Sequence, residues 1–204
     1  MTAVAALGPG ATLGVLGGGQ LGRMFVHAAQ RLGYRCVVLD PDPQAPAGQV
    51  AEVHLCDGYA DANVLEQLTA QAHAITTEFE NVPARALHML AAARPVAPAA
   101  DAVTICQDRA LEKAHFERCG VPCAPYAVLQ SAADVAAAPA RLLPGILKTC
   151  TLGYDGKGQR NVRDATELAQ AWQALGGVRC VLEQRLPLVR EISGNLLTKD
   201  STGG

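Results

Sequence analysis

The stretch Thr12-Leu13-Gly14-Val15-Leu16-Gly17-Gly18-Gly19-Gln20-Leu21-Gly22-Arg23 decides the fold of the first half of the chain, because in it an apolar run meets a glycine-rich turn. Beyond the turn, apolar residues recur on one helical face, and Gly33 stands where such a helix would end. This stripe consists of Leu21, Met24, Phe25, Ala28, Ala29 and Leu32. Residues 34–40 then have the composition of a second strand. Strand, turn, helix and strand in this order predict a parallel sheet with right-handed crossovers.

The glycine turn also matches a dinucleotide-binding fingerprint. Gly17, Gly19 and Gly22 have the required spacing, and Asp40 stands at the end of the next strand, where a ribose-binding carboxylate would lie. On this interpretation the protein is an NAD(P)-dependent oxidoreductase. Tight glycine turns also open many domains that bind no dinucleotide, so both interpretations remain open at this point.

The alternation of strands and helices continues to about residue 100. Val53-His54-Leu55, residues 73–77 and Pro95-Val96-Ala97 predict three further strands, and Asp61 predicts the N-cap of a helix between the first two. Residues 11–100 are therefore expected to form an α/β domain with a doubly wound parallel sheet.

Two glutamates follow the predicted strand over residues 73–77. Ligands bind at the carboxyl ends of parallel strands, so Glu78 and Glu80 are candidates for a binding site. We expect Glu80 to cap the helix that begins near Pro83, and Glu78 to point into the cleft.

A second module of the α+β class is predicted over residues 101–193. It begins with a helical segment, which Gly120-Val121-Pro122 interrupts. A strand is expected at Tyr126-Ala127-Val128-Leu129, and Ser131 with Asp134 predicts a capping box for the next helix.

The most distinctive stretch of this module is Lys148-Thr149-Cys150-Thr151-Leu152-Gly153-Tyr154-Asp155-Gly156-Lys157-Gly158-Gln159. Its three closely spaced glycines, with Tyr, Asp and Lys among them, indicate a mobile loop whose amides and cation can close over a polyphosphate. Apolar residues precede the loop and a short strand pattern follows it, so we expect it to join two strands. Lys148, at the end of the incoming strand, is a candidate ligand for phosphate.

The sequence excludes one other interpretation of this loop and leaves a second one open. A Walker A loop is excluded, because Gly156-Lys157 is followed by Gly158 and the position five before Gly156 is Thr151. A glycine-rich hairpin tip without a ligand, with Lys148 as a solvated strand end, remains open.

Composition limits the classes of function. The chain of 204 residues has a net charge of −2 and a pI near 6.2. This charge produces no positive electrostatic potential that would attract nucleic acid or an anionic membrane. Its apolar runs are far shorter than a membrane span. Seven cysteines without metal-type spacing indicate reduced thiols in a cytoplasmic protein, and we assign no residue to a metal.

Several motifs occur together in one order. They are Gly17-Gly18-Gly19-Gln20-Leu21-Gly22-Arg23-Met24, Thr77-Glu78-Phe79-Glu80-Asn81, Asp108-Arg109, Lys148, Gly153-Tyr154-Asp155-Gly156-Lys157-Gly158-Gln159 and Glu183-Gln184. In combination, from about residue 12 to Ser193, they resemble the 5-(carboxyamino)imidazole ribonucleotide synthases, ATP-grasp enzymes of purine biosynthesis. The resemblance implies ATP-dependent carboxylation of 5-aminoimidazole ribonucleotide by bicarbonate. It also implies a pre-ATP-grasp domain, whose glycine turn serves the ribonucleotide rather than NAD, followed by the first part of an ATP-grasp domain.

The resemblance assigns a set of residues to ATP. Arg109 and Lys148 become ligands of phosphate oxygens, and Glu191 becomes a ribose acceptor. The lid over the triphosphate would be Gly153, Tyr154, Asp155, Gly156, Lys157, Gly158 and Gln159. The linker that recognises adenine would be Glu183, Gln184, Arg185 and Leu186.

The resemblance also implies a substrate side and a reaction route. Gln20, Glu78, Tyr154 and Asp155 would bind the ribonucleotide, and Asp155 and Lys157 would act in catalysis. Bicarbonate is first phosphorylated to carboxyphosphate, and the exocyclic amine then attacks this intermediate or the carbon dioxide that it releases. Cations and Mg²⁺ neutralise the phosphoryl charge, and the lid keeps water out.

The chain departs from the family pattern after Ser193. Residues 194–204 form a polar, glycine-ended tail where the family continues in apolar strands and later supplies its Mg²⁺ ligands. We therefore expect a truncated ligase with doubtful turnover of its own. A non-catalytic nucleotide-binding fragment is the second interpretation, and a homodimer is a further expectation.

Overall fold

The computed structural model describes residues 6–151, 158–188 and 190. The described residues divide into two compact units. The first contains residues up to Cys123 together with residues 149–151 and 158, and the second contains the remainder. The predicted domain boundary near residue 101 stays a prediction.

The first unit is built on a parallel sheet of five strands in the order β3-β2-β1-β4-β5. The strands are β1 (Thr12–Leu16), β2 (Arg35–Leu39), β3 (Val53–Leu55), β4 (Ala74–Thr77) and β5 (Val96–Ala97). The helices are α1 (Gln20–Arg31), α2 (Ala62–Gln71), α3 (Ala84–Ala91), α4 (Ala100–Cys106) and α5 (Arg109–Arg118). This arrangement confirms the predicted α/β class.

Alternate residues of the strands belong to two separate hydrophobic clusters. Leu16, Val37 and Leu39 belong to one cluster with residues of α2, α3 and α4. Val15 and Val38 belong to another, which includes Val26 and Ala29 of α1. Side chains of a strand point alternately to its two faces, so helices cover both faces of the sheet, as expected for a doubly wound fold.

The buried face of α1 overlaps only in part with the apolar stripe seen in the sequence, sharing Ala29 and the partly buried Phe25. The residues that α1 buries are Gly22, Val26 and Ala29. Leu21, Met24 and Leu32 are instead 64%, 66% and 68% exposed. Small residues allow α1 to lie close to the sheet, and the larger apolar residues therefore remain outside. Gly33 follows the helix in the left-handed conformation, as predicted.

The second unit contains a four-stranded sheet in the order β6-β9-β7-β8, in which β6 pairs antiparallel with β9 and β7 pairs antiparallel with β8. Its strands are β6 (Tyr126–Leu129), β7 (Gly145–Thr149), β8 (Gln159–Val162) and β9 (Cys180–Gln184). Two helices, α6 (Ala132–Ala136) and α7 (Ala165–Ala174), share its core with the sheet. The predicted capping box of Ser131 and Asp134 is present at α6.

We expect the two faces of α1 to respond differently to truncation. Val26→Ala should lower the free energy of unfolding by about 2 kcal/mol, because it removes buried methyl groups and leaves a cavity. Met24→Ala, on the exposed face, should change it by less than about 0.5 kcal/mol. Urea denaturation followed by circular dichroism measures both values. A larger loss for Met24→Ala would contradict the packing described above.

Candidate functional site

The carboxyl ends of β1 and β4 form the switch point of the parallel sheet. The chain moves outward from β1 through β2 to β3 and then returns to place β4 on the other side of β1. Leu16 and Thr77 are register partners, so the glycine turn after β1 and Glu78 after β4 are neighbours. Ligand sites of parallel α/β sheets lie at such points.

The carboxylate of Glu78 is bound to the glycine turn. Its Oε1 accepts a hydrogen bond from the backbone N–H of Gly19 at 3.0 Å, and its Oε2 accepts one from Gly22 at 3.1 Å. Both donors lie at the start of α1, where a negative charge is favoured by the helix dipole. Glu78 therefore lies at the carboxyl end of β4 with its carboxylate bonded to the turn, and its role in binding a ligand stays a prediction.

The carboxylate of Asp40 is hydrogen-bonded to the other side of the same turn. Its Oδ2 accepts from the Gly18 N–H at 2.7 Å and from the Tyr59 hydroxyl at 2.6 Å, and its Oδ1 accepts from Asp42 N–H at 2.9 Å. Burial by itself would raise the pKa of Asp40, but these hydrogen bonds hold the pKa below its ordinary value. Burial, together with Asp40, raises the pKa of the Tyr59 phenol. Asp40 thus has three donors within the protein, which argues against its predicted role as a ribose acceptor.

The prediction for Glu80 was wrong. The N-cap of α3 is Pro83, with no side chain bonded to the helix end, and Glu80 instead accepts from the side-chain amide of Asn81. A capping side chain belongs to the N-cap residue, which immediately precedes the first turn of the helix. Glu80 lies three residues before the N-cap Pro83, so it cannot cap α3.

A cavity of about 310 Å³ lies beside the two glutamates in the first unit. Its lining is mostly apolar and comprises Thr77, Glu78, Phe79, Glu80, Pro98, Ala102, Val103 and Cys106. An apolar cavity with a few polar groups at its edge is typical of a small-molecule site.

The second unit brings together two residues that were assigned to ATP. Lys148 Nζ donates to Glu183 Oε2 at 2.8 Å, and both side chains are largely buried. They meet because β7 and β9 are neighbours in the sheet. The ammonium group has three donors, so this pair leaves two for phosphate oxygens and fixes the direction of the lysine.

The two ends of the glycine-rich loop are held together by strand pairing. Thr149 N–H donates to the Gly158 carbonyl at 2.8 Å, and Lys148 pairs with Gln159 in the β7–β8 ladder. The prediction that the loop joins two strands is therefore confirmed. Most of the lid residues, Gly153, Tyr154, Asp155, Gly156 and Lys157, lie outside the described residues, as does Glu191.

The other predicted site residues lie at the ends of elements. Gln20 is exposed and opens α1 beside the glycine turn. In the first unit, Arg109 opens α5, and its N–H donates to the Cys150 carbonyl at 2.9 Å. Gln184 ends β9, and Arg185 and Leu186 follow it in exposed positions.

Tyr59 is a residue of this site that no sequence motif indicated. Its hydroxyl holds Asp40, and its ring packs on Phe79 with centroids 5.4 Å apart. The available signal was its position shortly after β3, since parallel strands that share a sheet end at the same edge.

No group of three or more His, Cys, Asp or Glu side chains in residues 6–151, 158–188 and 190 is placed to hold a metal ion. Over the same residues, every helix is too short or too polar to span a bilayer. The cytoplasmic location stays a prediction.

Two families of known domains match the chain in succession. Residues 10–107 match the ribonucleotide synthetase preATP-grasp domain, and residues 114–203 match the ATP-grasp domain. These matches confirm the predicted succession of fold types.

Similar proteins match both domains at once. An N5-carboxyaminoimidazole ribonucleotide synthase of Pseudomonas aeruginosa is 43% identical over 182 residues, which are 89% of this chain and 50% of the relative. The corresponding protein of Bacillus subtilis is 37% identical over 186 residues, 91% of this chain and 49% of the relative. The chain thus spans about half the length of these relatives.

Solved structures agree with the sequence matches. An N5-carboxyaminoimidazole ribonucleotide synthetase crystallised with ADP gives a TM-score of 0.83 at 36% identity, over 90% of this chain and 49% of that one. An Aspergillus clavatus N5-carboxyaminoimidazole synthase in complex with ADP and 5-aminoimidazole ribonucleotide gives 0.76 at 29% identity, over 86% and 46%.

We expect the Tyr59–Asp40 hydrogen bond to stabilise the chain in a pH-dependent way. Tyr59→Phe should lower the free energy of unfolding by about 1 kcal/mol near neutral pH, because it removes a donor to a carboxylate. The folded-state pKa of Asp40 lies below its ordinary value of 3.8, so this stabilisation is present above that value and is lost as the pH falls through the lowered pKa. Urea denaturation at about pH 7 and about pH 3 measures the difference.

Tyr34→Phe is the matched control for this measurement. The Tyr34 hydroxyl donates to the Leu7 carbonyl at 2.7 Å, an acceptor that does not titrate in this range. Its deficit should be the same at both pH values. A Tyr59→Phe deficit that is equally independent of pH would count against a role for the Asp40 charge.

Proposed function

The chain belongs to the family of N5-carboxyaminoimidazole ribonucleotide synthases, and we propose that it takes part in the ATP-dependent carboxylation of 5-aminoimidazole ribonucleotide by bicarbonate. The observation that carries the proposal is the Lys148–Glu183 pair, held at the end of β7 where the glycine-rich loop begins. Relatives that bind ADP and the ribonucleotide support it.

The ATP side of the site is proposed to lie around Lys148 in the second unit. Arg109, in the first unit, stays a proposed phosphate ligand on the resemblance alone. Lys148 and Arg109 would neutralise phosphate oxygens, and the loop from Gly153 to Gln159 would close over them. Residues 183–186 would bind adenine through their backbone at the end of β9, and Glu191 would accept a hydrogen bond from a ribose hydroxyl. Glu183 has a second role in this proposal, since it fixes Lys148 through an ion pair.

The ribonucleotide side is proposed to lie at the switch point of the first unit. Each oxygen of Glu78 accepts one backbone hydrogen bond and keeps a lone pair that can accept another from the exocyclic amine. The apolar cavity beside Glu78 offers space next to that carboxylate for a planar ring. Gln20, Tyr154 and Asp155 are the other proposed contacts.

The proposed reaction has two steps. A bicarbonate oxygen attacks the γ-phosphorus of ATP, the bond to the β-phosphate oxygen breaks, and carboxyphosphate and ADP form. The exocyclic nitrogen then forms a C–N bond to the carbon of carboxyphosphate or of the carbon dioxide that it releases. Phosphate leaves and the nitrogen loses a proton, for which Asp155 and Lys157 are the proposed catalytic groups. Both steps depend on the positioning of charged groups and on the exclusion of water.

Mg²⁺ accompanies ATP in phosphoryl transfer and neutralises charge on the phosphates. The described residues contain no cluster suited to hold it, so we assign no ligand and no step to the ion. Because the chain spans about half of its relatives, we propose that these 204 residues by themselves bind nucleotide without turnover dependent on the ribonucleotide. Assembly as a homodimer is part of the proposal.

We expect ATP to raise the melting temperature of the chain, and Lys148→Ala to abolish most of that rise. At about 100 times its Kd, a ligand stabilises a protein by about 2.7 kcal/mol, which is a shift of several degrees for a chain of this size. Differential scanning fluorimetry with and without ATP measures it. Glu183→Gln should reduce the rise less, because Lys148 keeps its charge and loses only its orientation.

Arg163→Ala is the matched control, since Arg163 is an exposed cation that pairs with Glu167 on the surface of the same unit. It should retain the full response to ATP. An unchanged response in Lys148→Ala would contradict the site, and release of ADP that depends on 5-aminoimidazole ribonucleotide would contradict the expected lack of turnover.

A further inference from the structure

We propose that Glu78 determines the specificity of the glycine turn, because its carboxylate occupies the backbone amides that a phosphate group would otherwise bind. The turn has the glycine spacing of a dinucleotide site, yet its donors are already used by side chains of the protein itself. In this inference the motif is closed to dinucleotides and inorganic phosphates. The inference does not depend on the proposed ligase activity.

The start of α1 needs an acceptor from elsewhere in the chain. Gly19 is its N-cap and has no side chain to bond the first amides, and the first turn contains no acidic residue. Glu78, which is 59 residues from Gly19 in sequence, supplies both missing acceptors at 3.0 and 3.1 Å. One carboxylate thus provides the negative charge and the paired oxygens that a phosphate provides in a nucleotide site.

Two of the three fingerprint glycines, Gly17 and Gly19, are explained by the side chain of Glu78. A Cβ atom at Gly17 would lie 2.5 Å from Glu78 Cγ, and one at Gly19 would lie 2.9 Å from its Oε1. Gly17 also has a φ of +100°, which other residues rarely adopt. These glycines therefore allow the Glu78 side chain to lie close to the backbone of the turn. Their presence does not require a bound pyrophosphate.

A second carboxylate closes the remaining part of the turn. Asp40 accepts from Gly18, and Tyr59 holds Asp40 through its hydroxyl while its ring packs on Phe79, the neighbour of Glu78. Tyr59 thus touches the segments that carry both carboxylates. An incoming phosphate would meet two fixed negative charges at short range, which disfavours binding.

The test measures binding of inorganic pyrophosphate to variants of the full chain. All proteins carry Lys148→Ala, so that the proposed ATP site does not contribute to the signal. Into this parent we would introduce Glu78→Ala, or Glu80→Ala as the control, since Glu80 is a neighbouring carboxylate that accepts from the Asn81 side-chain amide and not from the glycine turn. Isothermal titration calorimetry gives the affinity, and the backbone amide resonances of Gly19 and Gly22 report the place of binding.

We expect Glu78→Ala to bind pyrophosphate at least about tenfold more tightly than the parent and the Glu80→Ala control, with shifts of the Gly19 and Gly22 amides. Glu78→Gln keeps the volume of the side chain and loses its charge, and it replaces Glu78→Ala if that variant does not fold. Equal affinities in all variants would overturn the inference. Shifts of both amides in the parent would overturn it as well, because the turn would then be open with Glu78 in place.

Discussion

The hydrogen bonds from the start of α1 to the carboxylate of Glu78 are the constraint on which the first unit depends. They tie the end of β4 to the helix that follows β1, at the point where the order of the sheet reverses. The negative charge compensates the helix dipole, and the glycines are small enough to admit it. One side chain therefore satisfies the start of α1 and explains why Gly17 and Gly19 have no side chains.

The second unit also contains a charged side chain that is held in place by a partner, and there the charge is positive. There the group at the strand end is a cation, Lys148, and a carboxylate on a neighbouring strand fixes its direction. In both units a charged group is oriented by partners from distant parts of the sequence. Such preorganisation lowers the cost of ordering side chains when a protein binds a ligand.

The sequence predicted best what depends on neighbouring residues. The helix cap at Asp61, the capping box at α6 and the strand Val53–Leu55 are as expected, because short-range hydrogen bonds and side-chain alternation determine them. The buried face of α1 could not be read from the stripe, since hydrophobicity does not reveal which partner a face will meet. The Glu78 and Lys148 contacts depend on strand order, which a single sequence does not contain. Glu80 was wrongly predicted to cap α3, because it lies three residues before the N-cap Pro83 even though the helix begins where it was expected.

The apolar face of α1 has a practical consequence for handling the molecule. Leu21, Met24 and Leu32 present a row of hydrocarbon to water on a helix whose charged residues are all basic. Exposed apolar side chains on one helical face favour retention of the chain on phenyl resins, and more strongly as salt screens the arginines of the same helix.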